Sequence, residues 1–207
     1  EKIAIEIRNL QRTEIAEVSE HFKKGQMGSS AVPTKRNPIK SERISSLSKL
    51  LRSQISTSFE NIPLWHERDL SNSANERFTL PMTSILLDEM LETMIKVIEN
   101  LQVDTKRVQE NLHITKGQIF SEFVLEALIK KGIPRFKAYR DVQRVAFAAH
   151  KKGINFMDAL GNDKVVSSAL SDKEIKSIFV AQNHLGASLM IIDNVNKHVK
   201  EYTKKFS

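Results

Sequence analysis

SANERFTLPMTSILLDEMLETMIKVIENL, residues 73–101, is the stretch whose periodicity decides the fold. Within it Phe78, Met82, Ile85, Met90, Met94, Val97 and Leu101 recur at the three- and four-residue steps that put side chains on one face of a helix. The stripe persists for about eight turns, a rod of about 40 Å at about 1.5 Å per residue, and such rods usually pack in bundles. Pro81 is expected near the N-terminal end of this helix, where a missing N–H does least harm. Met82, Met90 and Met94, at helical spacing, are expected to be core.

The same reading extends in both directions. Upstream, Ile44, Leu47, Leu51, Ile55 and Phe59 keep a helical period, with Ser41 placed to cap the helix they define, and a polar connection from Asn61 to Ser71 follows. Earlier still, Ile3, Ile7, Leu10 and Val18 share a face in a helix read as continuing to Phe22. The chain opens inside that pattern without a capping residue, which reads as a cut within a longer sequence. Downstream the helices shorten. Thr115 to Lys131 ends at Gly132, Pro134 to Lys152 starts with Pro and ends at Gly153, Ser171 with Glu174 forms a capping box, and Ala187 to Lys204 carries Ile191, Val195, Val199 and Tyr202 on one face. The expected fold class is therefore all-α. A long-helix bundle segment over residues 1–110, holding an irregular loop at 25–38, precedes a small all-helical C-terminal domain over 111–207, with the boundary near Gln102 to Lys116.

Composition narrows the function. Hydrophobic residues at 40% and charged residues at 28% describe a globular chain, and seven Gly and five Pro argue against a turn-rich all-β fold. No run of about 18 apolar residues occurs, so no membrane span is expected. The absence of cysteine removes disulfides, thiolate metal sites and thiol nucleophiles, and points to a reducing cytoplasm. The net charge of +7 is local: eight basic residues lie between Lys23 and Arg52 against the single acid Glu42, and the remainder of the chain balances. That concentration, without interleaved aromatics between Phe22 and Phe59, suits a small anionic ligand better than nucleic acid. His21, His113, His150, His184 and His198 share no metal-ligand spacing, and no P-loop, dinucleotide fingerprint or calcium loop is present, so neither metal nor cofactor is expected.

The chemistry concentrates in GQMGSSAVPTKRNP, residues 25–38. A polar loop between helices is ordinarily just solvated, yet here two adjacent hydroxyls, a lysine and an amide occupy nine positions of glycine-hinged backbone. The segment resembles the shared motif of the fumarase/aspartase superfamily, Gly-Ser-Ser-x-Met-Pro-x-Lys-x-Asn-Pro, departing from it only at Val32, where Met is usual. The resemblance implies a homotetramer whose long helices form a many-helix bundle, active sites assembled from several subunits, and elimination of fumarate from a succinyl-substituted substrate. Such an elimination removes a proton beside a carboxylate, so the doubly charged aci-carboxylate needs donors aimed at it. Lys35 and Asn37 suit that role. The resemblance places the base at Ser29, whose hydroxyl becomes basic only when desolvated in positive potential under a closed loop, and leaves Ser30 to contact a substrate carboxylate. Glu42 either positions Lys35 or a catalytic histidine, as the resemblance implies, or is a first-turn Glu favoured by the helix dipole.

LWHERDLSNSANER, residues 64–77, separates branches of the superfamily. Its Trp-His-Glu-Arg-Asp run followed by Ser and Arg, with Glu6 to Gln11 and Pro38 to Arg43, resembles the adenylosuccinate-cleaving branch. Ser73 and Arg77 lie four apart at a helix start, where a hydroxyl, a guanidinium and free N–H groups together suit an anion; read alone, Ser73 caps and Arg77 pairs with a helix acid. By resemblance Arg68, Ser73 and Arg77 bind the nucleotide phosphate and sugar, Arg43 completes the pocket and His66 has no catalytic part. The implied reaction converts adenylosuccinate to AMP and fumarate, and the related succinyl-carboxamide ribotide likewise. The family's general acid and its partner are histidines outside this C-terminal half, so the chain alone is expected to be inactive. Two alternatives stay open: another superfamily lyase or cycloisomerase acting on a non-nucleotide, and a non-enzymatic helical module that binds polyanions through the basic segment.

Overall fold

The computed structural model describes residues 1–23 and 25–206; Lys24, counted above in the basic stretch, and Ser207 lie outside them. The chain divides into two compact units, Glu1–Asn111 and the residues from Leu112 onward.

The first unit contains α1 (Lys2–Leu10), β1 (Val18–Ser19), α2 (Ile39–Glu60), α3 (Ser73–Glu99), β2 (Gln102–Val103) and most of α4 (Thr105–Leu112). The long periodic stretch forms α3 as expected, and α2 packs against both α1 and α3. Its buried centre is small: Ala4 from α1, Ile44 from α2 and Met90 from α3, flanked by Leu47, Leu51 and Met94. Several expectations need correction. Pro81 sits in the third turn of α3, well inside the helix, so the Arg77 carbonyl loses its intrahelical donor. Met82 is not core but 41% exposed, as the apolar stripe outruns the partners available to it; Phe78, Ile85 and Ile95 on α3 and Ile55 and Phe59 on α2 are exposed too.

The first helix stops at Leu10 instead of reaching Phe22. Residues 11–16 turn back, Ala16 adopts a left-handed φ of 54°, and the Glu17 N–H returns to the Leu10 carbonyl at 3.1 Å. Side chains of α4 satisfy the carbonyls this turn exposes: Arg107 Nε and Asn111 Nδ2 donate to Ile15 O at 3.0 and 2.8 Å, and Arg107 Nη2 donates to Glu14 O at 2.9 Å. Val18 therefore leaves the helix and pairs antiparallel with Val103, and Ser19 with Gln102. A partner more than eighty residues away decides this, against the local period.

The second unit is built from α5 (Ser121–Lys130), α6 (Arg135–Lys152), α7 (Phe156–Asn162), α8 (Lys164–Ala169), α9 (Asp172–Ile178) and α10 (Ser188–Phe206), with single turns of 3-10 helix at Gln118–Phe120 and Ala181–His184. Val124 and Leu128, Val142 and Val145, Phe156 and Leu160, Val166, Leu170 and Ile175 bury against one another in one core. Gly153 closes α6 at φ 66°, a left-handed conformation that costs glycine little. Asn155 and Asp163 cap α7 and α8, and the Ser171–Glu174 capping box forms as read from sequence. On α10 the apolar residues Ile191, Val195, Val199 and Tyr202 are exposed. None of the helices among the described residues is long and apolar enough to cross a membrane.

Glu174 does double duty, accepting from the Ser171 N–H and hydroxyl and pairing with Lys131 Nζ at 2.7 Å, which joins α9 to the end of α5. The Lys131 ammonium, followed by the Ser171 donors, lowers its carboxyl from an ordinary 4.5 to about 2. A depressed carboxyl stabilises the fold fully above its unfolded value and loses that contribution as pH falls toward its folded one. Thermal unfolding should therefore show wild type above Glu174→Gln at neutral pH, with the gap closing between about pH 4.5 and about pH 2; a gap independent of pH would remove this ion pair from the account.

Candidate active site

The loop from His21 to Pro38 is held at its base by two side chains, Glu20 and Gln11, to which the sequence assigned no role. Helix α2 begins behind Pro38, which offers no capping acceptor, so its first N–H groups need partners from elsewhere. Glu20, only 8% exposed, supplies them. Its Oε1 accepts from both the N–H and the hydroxyl of Ser41 at 2.7 Å each, and its Oε2 from the Lys40 N–H at 3.2 Å. Ser41 is thus a buried donor inside α2 and not the helix cap expected from sequence. Gln11 adds a second tie: its Oε1 accepts from the Glu20 N–H and its Nε2 donates to the Arg36 carbonyl, both at 2.9 Å.

Within the loop, Gly28 is buried because the chain folds back on it. A Cβ there would press into the Lys35 carbonyl oxygen and stand 2.9 Å from the Phe22 ring, over which the Arg36 guanidinium sits at 5.5 Å. Ser29 is half-buried, and its Oγ accepts from the N–H groups of Ala31 and Val32 at 3.3 and 3.2 Å. Ser30 and Lys35 are exposed and Asn37 half-buried.

Beside this loop lies a cleft of about 1110 Å³, bounded by the end of α1, the turn after it, the loop's distal limb, the first turn of α2 and β2. Of the residues singled out in the sequence it gathers Lys35, Asn37 and Glu42. It also brings in Arg8, Arg12 and Lys106, which the sequence reading missed. The only signal for Arg8 was its place in the run from Glu6 to Gln11; Arg12 lies just past that run, and Lys106 had none because it reaches the cleft through the β1–β2 pairing.

The other expected ligands stand apart from the cleft. In the connection before α3, the Asp69 carboxylate accepts from Ser71 Oγ and N–H at 2.6 and 2.8 Å and from the Trp65 N–H at 2.6 Å. These donors, the Ser71 hydroxyl foremost, hold its carboxyl below the usual value. The result is a compact turn that presents Trp65 and Arg68 to solvent. Ser73 is the first residue of α3, half-buried, and Arg77 follows one turn later, exposed. Arg43 pairs instead with Glu89 at 3.6 Å. Glu89 is twelve residues past Arg77, about 18 Å along the helix at about 1.5 Å per residue. One chain therefore does not bring Arg43 together with Arg77.

Residues 1–51 match a family described as Lyase, and residues 117–195 match the family described as Adenylosuccinate lyase C-terminus. The adenylosuccinate lyase of Thermotoga maritima is 44% identical over 179 residues, covering 86% of this chain and 42% of that protein. That of Pyrococcus abyssi is 39% identical over 205 residues, covering 99% and 45%. The chain thus spans less than half the length of these curated relatives. Among solved structures, 3-carboxy-cis,cis-muconate lactonizing enzyme from Pseudomonas putida matches with a TM-score of 0.82 at 26% identity, over 98% of this chain and 44% of that one. The β-carboxy-cis,cis-muconate cycloisomerase of Acinetobacter calcoaceticus shares the fold, with a TM-score of 0.80 at 23% identity over 95% and 42%.

The close approach at Gly28 is testable against a glycine with open space around it. Gly28→Ala should destabilise by about 1–3 kcal/mol through overpacking, whereas Gly161→Ala, in α7 with nothing within 4 Å of an added Cβ, should stabilise by about 0.4–1 kcal/mol. Urea unfolding measures both, and equal effects would contradict the folded-back loop.

Proposed function

This chain belongs to the adenylosuccinate lyase family, and from that premise we propose that it forms part of an enzyme cleaving adenylosuccinate to AMP and fumarate. The same enzyme releases fumarate from the succinyl-carboxamide ribotide of purine synthesis. The observation that carries the reading is the convergence of Lys35, Asn37 and Glu42 on one cleft in a chain 39–44% identical to adenylosuccinate lyases.

In this reading Ser29 removes the proton beside the succinyl carboxylate. Two N–H groups already face its Oγ, and donors to an oxygen favour its anionic form. The electron pair develops onto that carboxylate, where the Lys35 ammonium and the Asn37 amide stabilise the resulting aci-carboxylate. Collapse of the pair expels the purine nitrogen, protonated by an acid on another part of the enzyme, and fumarate forms. Glu42 positions Lys35 across the cleft. Ser30 binds a substrate carboxylate, while Arg68, Ser73 and Arg77, with Arg43, hold the phosphate and sugar.

The separation of Arg43 from Arg77 in one chain supports sites shared between subunits of a homotetramer, as do the exposed apolar faces of α2 and α3. Residues 1–110 then serve the bundle and 111–207 form a separate helical domain, in a cytoplasmic enzyme. A cycloisomerase is the second reading, favoured by the likeness to the Pseudomonas enzyme; stabilisation of the protein by AMP in a thermal melt separates the two.

In the full-length enzyme, Ser29→Ala should lower kcat by about 10²–10⁴ with little change in nucleotide affinity, because a base acts in the transition state. Retained kcat would remove Ser29 as the base. Arg77→Ala should instead raise KM for adenylosuccinate by tenfold or more, about 1.4 kcal/mol of lost phosphate binding. An unchanged KM would take Arg77 out of the site.

A further inference from the structure

We propose that Glu20 is a positioning residue for the elimination, setting turnover by fixing where Lys35 and Asn37 stand in the cleft. The inference rests on the assignment of that loop to the chemistry. Its basis is a carboxylate that the mechanism does not use, buried to 8% exposure, which stands just before the loop and takes its donors from Lys40 and Ser41 just after it.

Burying a carboxylate is costly unless donors replace its water. Glu20 receives three, the Lys40 N–H and the Ser41 N–H and hydroxyl, at the positive end of α2. Its own N–H is held by Gln11, which also takes the Arg36 carbonyl. The loop therefore leaves from Glu20 and returns to Glu20. Asn37 lies between the Gln11–Arg36 bond and the Glu20–Lys40 and Glu20–Ser41 bonds, and Lys35 adjoins the pinned Arg36, so both stand on a limb tied at Arg36 and at the start of α2.

By contrast, the hydrogen bonds inside the loop are local. The Gln26 N–H returns to Lys23 O, the Lys35 N–H to Val32 O, and Ser29 accepts from its near neighbours. Such bonds let the tip with Ser29 and Ser30 move while its base stays in place. A rigid limb holding the aci-carboxylate donors under a mobile tip fits a site that closes on substrate. Displacing catalytic groups by about 1 Å can cost about 10²-fold in rate, so loss of this clamp should appear in kcat more than in stability.

The test uses the full-length enzyme with Glu20→Ala, Glu20→Gln, Gln11→Ala and Ser29→Ala, beside Ile44→Val as a core substitution in the same helix that weakens the fold without touching the clamp. Glu20→Ala should lower kcat by about tenfold or more while KM for adenylosuccinate stays within about twofold. Glu20→Gln should fall between, since its amide oxygen still accepts from Ser41 but its nitrogen now faces the Lys40 N–H. Gln11→Ala should lower kcat less than Glu20→Ala, and Ile44→Val should leave kcat unchanged although it lowers Tm. If Glu20→Ala does not fold, Glu20→Gln and Gln11→Ala carry the same comparison against Ile44→Val. The proposal is overturned if the clamp variants keep kcat while Ser29→Ala abolishes it, or if Ile44→Val loses as much kcat for the same fall in Tm. Turnover surviving in Ser29→Ala would instead remove the base assignment, and with it the reason for the clamp to matter.

Discussion

A carboxylate at the N-terminus of α2 meets the one demand that the helix cannot meet for itself. The first N–H groups of a helix lack intrahelical acceptors, and Pro38 has no side-chain acceptor for them. Glu20 answers that need from across the loop, and its burial against Ser41 draws the chain before the loop onto the chain after it. The remaining geometry follows. Gln11 reaches both Glu20 and Arg36 because α1 stops at Leu10. The turn that stops it is held by Arg107 and Asn111 of α4, and the cleft opens between that turn and the loop's returning limb.

The sequence was informative wherever structure is decided locally. The helix of the α3 stripe, the glycine at the end of α6 and the Ser171–Glu174 box all depend on residues within a few positions of one another, and each formed as read, although the first half of the stripe is exposed. It failed where a distant partner overrides the local period. Val18 fits a helical face, but pairing with Val103 places it in a strand. Ser41 has the identity of a cap, but Glu20 takes that function. Within the candidate site, the loop motif pointed to Lys35 and Asn37 and the wider resemblance to Glu42, which share the cleft, while Glu20 and Lys106 had no local mark and Gln11 only its place in the run from Glu6, because the ties they make or complete reach residues twenty or more positions away.

The two units differ in how well they satisfy their own hydrophobic residues. From Leu112 onward, five short helices and their connections bury a continuous core. Before it, helices of 22 and 27 residues pack with α1 on a small centre of Ala4, Ile44 and Met90, and leave long apolar faces in the open. Faces of that extent mark association surfaces. Within one copy, Arg43, Arg68, Ser73 and Arg77 are not among the residues that line the cleft with Lys35 and Asn37.

We propose that this chain supplies the base and the aci-carboxylate donors of an adenylosuccinate elimination whose acid lies elsewhere. Fumarate release from adenylosuccinate, followed by absorbance, tests it most directly when the 207-residue chain is compared alone and mixed with a polypeptide covering the remainder of the relatives' length. No turnover above background is expected from the chain alone, and turnover on mixing should disappear when the chain carries Ser29→Ala. Turnover by the isolated chain near that of the full-length enzyme would contradict it, since the acid would then have to be among the residues described.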